Sequence, residues 1–309
     1  MRAVSDEDLR VDVHLGPEDF RAALEADVRS GLASTPKSIP PVWFYDEVGS
    51  ALFEDITSLA EYYPTRAERA LLEEHAPAIA TIARADTLVE LGAGACAKTR
   101  VLLDAMVGAG ELRADYPGID IHAVVGDFHR HLDRIPRKGR RLIAFLGGTI
   151  GNFTPEERRR FYFDLNTTMD PGDHLLLGTD LVKDTARIVA AYDDAAGVTA
   201  AFNRNVLTVL NRELDADFDP AAFDHVATWN AEEAWIEMRL RARSPQRVHV
   251  RALDLAVEFD GGEDLLTEIS AKFTADGLSA ELEAADFVLD GVWGAGDGEF
   301  LLTVAHPYC

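Results

Sequence analysis

The sequence predicts an α/β fold, a parallel sheet with crossover helices, joined to a second α+β lobe. Apolar runs at residues 87–91, 119–125, 141–146 and 174–177 alternate with helical apolar spacing, the pattern of strand–helix–strand units. After Leu181 the pattern changes: two helices precede strand-like alternation over 225–259, which does not continue those units. At 309 residues, 47% of them hydrophobic, the chain can bury a core in each of two lobes.

Each element has a local reason. Residues 17–32 carry apolar positions at helical spacing, and the proline- and lysine-bearing segment 35–41 ends that helix. A second helix is expected over 48–59. Pro64-Thr65-Arg66 opens a third toward residue 83, with proline in the first turn where its missing N–H costs nothing. The strand ending at Leu91 runs into Gly92 and Gly94, then a helix over 97–106, a turn at 107–110, a short stretch at 111–116 and the strand 119–125. Thr154-Pro155-Glu156-Glu157 is a capping box with proline at the first helical position, which leaves Asn152 in the loop just before it. Helices follow over 185–195 and 198–214. The runs 236–240 and 248–259 read as a meander, and the strands 287–292 and 299–305 are expected to pair at the end of the main sheet. The expected division is 64–195 plus 273–309 for the sheet domain and 1–63 plus 196–272 for the second lobe.

Composition excludes several classes. A net charge of -24, from 30 basic against 54 acidic side chains, repels nucleic acid and anionic membrane and favours small-molecule chemistry. Residues 1–13 are too charged for a signal-peptide core and no apolar run reaches membrane-spanning length, so a cytoplasmic monomer is expected. Two cysteines, Cys96 and Cys309, are too few for a disulfide framework or a thiolate metal site, and no His-x-x-x-His pair occurs, so no metal is expected.

The chemistry concentrates at TLVELGAGACAKT. A strand, two closely spaced glycines and a helix N-terminus leave backbone N–H groups beside a surface without Cβ atoms, which a nucleotide-like ligand can approach closely. Gly92, Gly94 and Ala97 formally satisfy a dinucleotide pattern, and GAGACAKT falls one glycine short of a phosphate-binding loop, with Ala97 in that place. Glu90 separates the candidates: a carboxylate at the strand end repels phosphate and suits a cationic, hydroxyl-bearing ligand. S-adenosylmethionine (SAM), with a sulfonium, an ammonium and a ribose diol, answers that description. A dinucleotide site and a purely structural glycine turn are the competing readings.

A second constellation lies near the end of the alternating region. On a strand, Glu268, Ser270 and Lys272 share one face while Ile269, Ala271 and Phe273 take the other. A carboxylate and a hydroxyl side by side can take both nitrogens of an imidazole. The bland alternative is a solvated strand face.

The strings TPKSIPPVWFYDEVGSALFEDIT, EYYPTRAE, TLVELGAG, GDF, FLGGTIGNFTP, LLLGTDLVKD, AYDDAAGVTAAFNRNVL and LLTEISAKF together resemble the histidine Nα-methyltransferases of ergothioneine biosynthesis, over nearly the whole chain. The resemblance implies a Rossmann-like class I methyltransferase sheet with a substrate-binding lobe, and trimethylation of the α-amino group of L-histidine to hercynine by SAM without metal or covalent intermediate. It implies that Glu268 and Ser270 hold the imidazole, that Asn152 and Tyr192 clamp the substrate carboxylate, and that Tyr62 and Tyr45 line the pocket near the imidazole and the amine. Tyr45 and Asn152 would be the pair nearest the reaction, and Met238 an apolar wall, although Met more often fills a core gap. On the cofactor side it implies Glu90, Gly92, Gly94 and Gly147, with Asp127 and Phe128 at the adenine and Lys98 near the cofactor carboxylate, where a solvated helix lysine is the plain alternative.

One segment departs from the pattern. About thirty residues separate Gly94 from Gly126, where a strand-helix-strand-helix-strand half needs roughly forty-five or more. A strand and a helix near 107–118 are missing, and with them the acidic residue that grips the ribose diol in the family. The shortfall predicts weaker SAM binding, or a rearrangement in which the strand 119–125 moves beside the first strand and brings Asp127 to the ribose. The remaining functional readings are a relative that binds histidine or a related amine without turnover, a methyltransferase for another amino acid, and an NAD-dependent oxidoreductase.

Overall fold

The computed structural model describes residues 9–92, 94, 97–108, 121–128, 130–295 and 298–308. Its strands are β1 (Leu9–Val13), β2 (Lys37–Ser38), β3 (Thr87–Glu90), β4 (Ile121–Val125), β5 (Arg141–Phe145), β6 (His174–Asp180), β7 (Phe223–Asn230), β8 (Trp235–Ala242), β9 (Gln246–Val250), β10 (Leu255–Phe259), β11 (Asp264–Ala271), β12 (Phe287–Gly294) and β13 (Phe300–Pro307). Its α-helices are α1 (Pro17–Ala33), α2 (Glu47–Ser58), α3 (Pro64–Ala83), α4 (Ala97–Gly108), α5 (Pro155–Thr168), α6 (Thr185–Tyr192), α7 (Val198–Leu214) and α8 (Ala275–Ala284). Cys96, Cys309 and most of the shortened segment near 107–118 lie outside the described residues.

The chain divides into two compact units. The sheet unit comprises residues 1–16, 66–181 and 273–309; the second comprises 17–65 and 182–272. The crossing therefore comes at Leu181, so that α6 and Tyr192 pack with the second unit and β1 belongs to the sheet unit, unlike the division expected from the sequence. The reason is local to each: α6 buries Ile188, Ala191 and Tyr192 in the same core as α7, and β1 pairs in parallel with β4.

The main sheet has the order β12-β13-β6-β5-β3. Strands β3, β5 and β6 run parallel, and β13 and β12 complete the sheet antiparallel, as the terminal runs predicted. All five residues of β5 are buried, the pattern of a strand covered on both faces. Its Arg141 is tolerated there because the Asp173 carboxylate takes its backbone N–H at 2.7 Å and its Nε at 2.8 Å. The capping box holds: Thr154 Oγ1 accepts from the Glu157 N–H while Thr154 N–H donates to Glu157 Oε2 at 2.8 Å. One expectation fails. Strand β4 does not fill the place beside β3; it forms a separate two-stranded ladder with β1, in register from Leu9 opposite Ile121 to Val13 opposite Val125. Asp127 is thus not brought to the ribose by a strand exchange.

The second unit is built on the sheet β2-β11-β8-β7 with α1, α2, α6 and α7. Strands β9 and β10 do not continue a meander; they pair with each other in a ladder of their own. A turn over Arg251–Leu253 and a left-handed Asp254 (φ 49°) reverse the chain between them. The core of this unit includes Phe44, Phe202, Leu210, Phe223 and Leu265, all nearly inaccessible.

Candidate active site

In the sheet unit, β3 ends at Glu90 and the backbone turns through Gly92 (φ +73°) and Gly94 (φ +48°), left-handed angles that favour glycine. A Cβ built at Gly92 would have no protein atom within 4 Å. The turn therefore faces open space, and a ligand can lie against its main chain. The Glu90 carboxylate accepts a hydrogen bond from Thr99 Oγ1 in the first turn of α4. Burial raises its pKa, while the Thr99 bond and the Lys98 charge pull the other way.

Lys98 is not a solvated helix lysine. Its ammonium pairs with Glu68, a fully buried carboxylate on α3. Glu68 also takes the Gly147 backbone N–H, at 2.7 Å to Oε1 and 3.0 Å to Oε2. Gly147 is left-handed (φ +83°), and the turn after β5, α4 and α3 are clipped together through one buried acid. Sequence reading missed Glu68, although it closes EYYPTRAE. A second sign of it is Gly178 on β6, where a Cβ would stand 2.0 Å from Glu68 Oε1. After β4, the Asp127 N–H donates to His131 Nδ1 at 3.0 Å, and Phe128 packs against Phe145, Phe153 and Phe161 with ring centroids 5.5, 5.9 and 6.4 Å away. Asn152 closes the 3-10 turn Thr149–Asn152 that follows β5, half-buried, with its side-chain amide hydrogen-bonded to no described residue.

The second unit gathers six of the expected site residues. On β11, a register shift between Leu266 and Glu268 sets Glu268 directly opposite Met238 of β8. Directly opposed residues share a face, so the acid stands beside the apolar wall expected for it. The Tyr192 hydroxyl donates to Ser270 Oγ at 2.8 Å, and Lys272 Nζ donates to Ser270 Oγ at 2.8 Å and to Tyr192 Oη at 3.0 Å. Tyr192, expected at the substrate carboxylate, is therefore placed at Ser270. The Tyr62 ring meets Tyr192 edge-on at 6.2 Å and Phe53 at 6.3 Å; Phe53 in turn meets Tyr45 at 5.6 Å.

Burial dominates the electrostatics of these residues. Burial pushes the Glu268 carboxyl up to about 7, against the opposing pull of Lys272, yet the residue keeps some solvent access. Tyr45 shows the same combination. Its ring is 48% exposed, while burial first, then the Glu268 charge and Tyr192, raise its hydroxyl far above the ordinary phenol range. Lys272, by contrast, is 4% exposed, and its role was not legible from alternation alone.

A family model described as "Histidine-specific methyltransferase, SAM-dependent" matches residues 24–307. The chain belongs to this family. It is 55% identical over 312 residues to the "Histidine N-alpha-methyltransferase" of Mycolicibacterium smegmatis, covering 94% of this chain and 97% of that protein. It is 54% identical to the protein of the same description from Mycobacterium tuberculosis, with 96% and 99% covered. The "Ergothioneine biosynthesis protein 1" of Neurospora crassa is 30% identical over 62% of this chain and 25% of its own length. The resemblance drawn from the motifs is borne out, and membership decides the cofactor question for SAM over a dinucleotide or a phosphate.

Proposed function

We propose that this chain transfers methyl groups from SAM to the α-amino nitrogen of L-histidine three times, giving hercynine for ergothioneine biosynthesis. The observation that carries the reading is Glu268 beside Ser270 on one strand face, opposite Met238 and tied to Tyr192 and Lys272. An acid and an alcohol side by side take the two nitrogens of an imidazole, and an indole or an aliphatic side chain would leave one of these buried groups unpaired.

When bound, SAM supplies an electrophilic methyl group on a sulfonium. Gly92 and Gly94 would admit it to the main chain, Glu90 would meet its cationic or hydroxyl groups, and Asp127 with Phe128 would face its adenine. Gly147 contributes its carbonyl side, because Glu68 already takes its N–H. For the substrate, Glu268 would accept an imidazole N–H, and Ser270 would serve the other nitrogen. The resemblance assigns the substrate carboxylate to Asn152, whose side-chain amide has no hydrogen bond to the described residues. A carboxylate that drew the Tyr192 hydroxyl away from Ser270 would not orphan that serine, because Lys272 still donates to it. The Tyr45 phenol, held neutral by its raised pKa, would offer a lone pair and a ring face to an amine that becomes a quaternary cation. Positioning of the two reactants carries the rate.

The test is incubation with SAM and L-histidine, followed by mass analysis of the product. Mono-, di- and trimethylated histidine support the proposal. Histidine binding without methylated product would replace it with a binder that lacks turnover, and methylation of another amino acid in preference would replace its substrate.

A further inference from the structure

At the opposite end of the parallel strands from the glycine turn, three side chains converge that the methyl transfer does not use. His174 opens β6, His306 lies near the end of β13, and Asp290 sits on β12. The ladder pairs Ala305 with Leu175, which sets the next residues, His306 and His174, side by side. The β12–β13 register shifts between Leu289 and Gly291, so Asp290 is the extra residue of a bulge, the irregularity that re-aims a side chain.

We propose that His174, Asp290 and His306 bind a divalent first-row transition-metal ion of the zinc type. Their donor set is two imidazoles and one carboxylate, which suits zinc and its neighbours and not magnesium. His306 Nδ1 lies 2.6 Å from Asp290 Oδ2, and His174 Nε2 lies 3.5 Å from the same oxygen. One ligand atom from each of the three falls within 4.8 Å of the others. Metal–ligand bonds of about 2.0–2.2 Å place tetrahedral donors roughly 3.4 Å apart, so the histidines close the remaining gap by rotation about their side chains. Exposure rises from 13% at His174 through 24% at Asp290 to 36% at His306, which gives an ion a route in and leaves its remaining position to water. The ion would clip β6, β12 and β13 together, away from the methyl-transfer residues, and this proposal stands whatever the substrate of the enzyme is.

The experiment uses tag-free, metal-stripped full-length protein titrated with Zn2+ by calorimetry and with Co2+ by visible absorption. One ion per chain is expected, with a tetrahedral Co2+ spectrum and a Tm raised by Zn2+ but not by Mg2+. His306→Gln and Asp290→Asn, both at accessible positions, are expected to weaken Zn2+ binding by more than the roughly 10- to 100-fold that loss of an outer-shell partner costs. Absence of Zn2+ binding to the wild type, or equal binding by both variants, overturns the site.

Discussion

Replacing Glu268 with Gln separates the stability of the empty protein from its hold on histidine, and the two effects have opposite signs. The carboxyl is raised from 4.5 to about 7 by burial. In the native state it therefore binds its proton more tightly than in the unfolded chain, so its contribution to stability is full below about pH 4.5 and is lost as pH rises through about 7. At about 1.4 kcal/mol per tenfold change in proton affinity, and discounted for the solvent access the residue keeps, ionisation costs the native state roughly 2–3 kcal/mol above pH 7. Gln has the same shape and no ionisation. Glu268→Gln is expected to flatten the fall in stability between pH 4.5 and 7 and to leave the empty protein more stable than wild type at pH 8. Histidine binding moves the other way, because a hydrogen bond to a charged group contributes about 1.5–3 kcal/mol, or roughly 10- to 150-fold in affinity. Urea unfolding from pH 5 to 8, with calorimetric titration of histidine, reads both. Wild-type histidine affinity in the variant, or a stability difference that does not change with pH, would refute the assignment.

Lys272→Met removes the charge that pulls the Glu268 pKa down, so the pH at which histidine binding is half-maximal should move to more alkaline values, measured as KM against pH; an unmoved profile means the lysine is only structural. Gly178→Ala places a Cβ 2.0 Å from Glu68 Oε1, and a destabilisation on the order of 1–3 kcal/mol is expected. In urea unfolding, Glu68→Ala should relieve that clash, so the double variant loses less than the sum of the singles. Tyr45→Phe forfeits one neutral hydrogen bond, about 0.5–1.5 kcal/mol. A fall of kcat/KM by no more than roughly 10-fold, with the pH profile unchanged, is expected, and a larger loss or a displaced profile would make the phenol a proton carrier.

What could be read from the sequence was what is local in it. The Glu90-to-Gly94 turn, the Thr154 capping box and the alternation Glu268, Ser270, Lys272 each lie within a few residues, and the structure has them as expected. Glu68 and Lys98 meet only because α3 and α4 flank the same turn, and His174, Asp290 and His306 only because β13 inserts between β6 and β12. No spacing rule links residues that far apart. The N-terminal strand did leave a signal: Leu9, Val11 and Val13 alternate with Arg10 and Asp12, and Asp12 receives His122 of β4 at 2.9 Å. Its charge concealed it as a strand.

The proposed imidazole partner accounts for a buried acid being kept at a cost to folding. An apolar residue at position 268 would remove the ionisation penalty and would also remove the partner of the imidazole N–H. A fully ionised acid, paired closely with Lys272, would be satisfied before any ligand arrived. The observed arrangement lies between these: Lys272 donates to Ser270 and Tyr192, and acts on Glu268 only through its field. Among the described residues the acid has no hydrogen-bond partner, and on the proposed reading an imidazole N–H supplies one. Binding energy concentrated on one unsatisfied group discriminates by chemistry more sharply than an apolar pocket does by size. On this reasoning, affinity for histidine should rise with pH through about 7 as Glu268 ionises, whereas a histidine analogue with a thiazole ring, which lacks the N–H, should bind weakly and show no such rise.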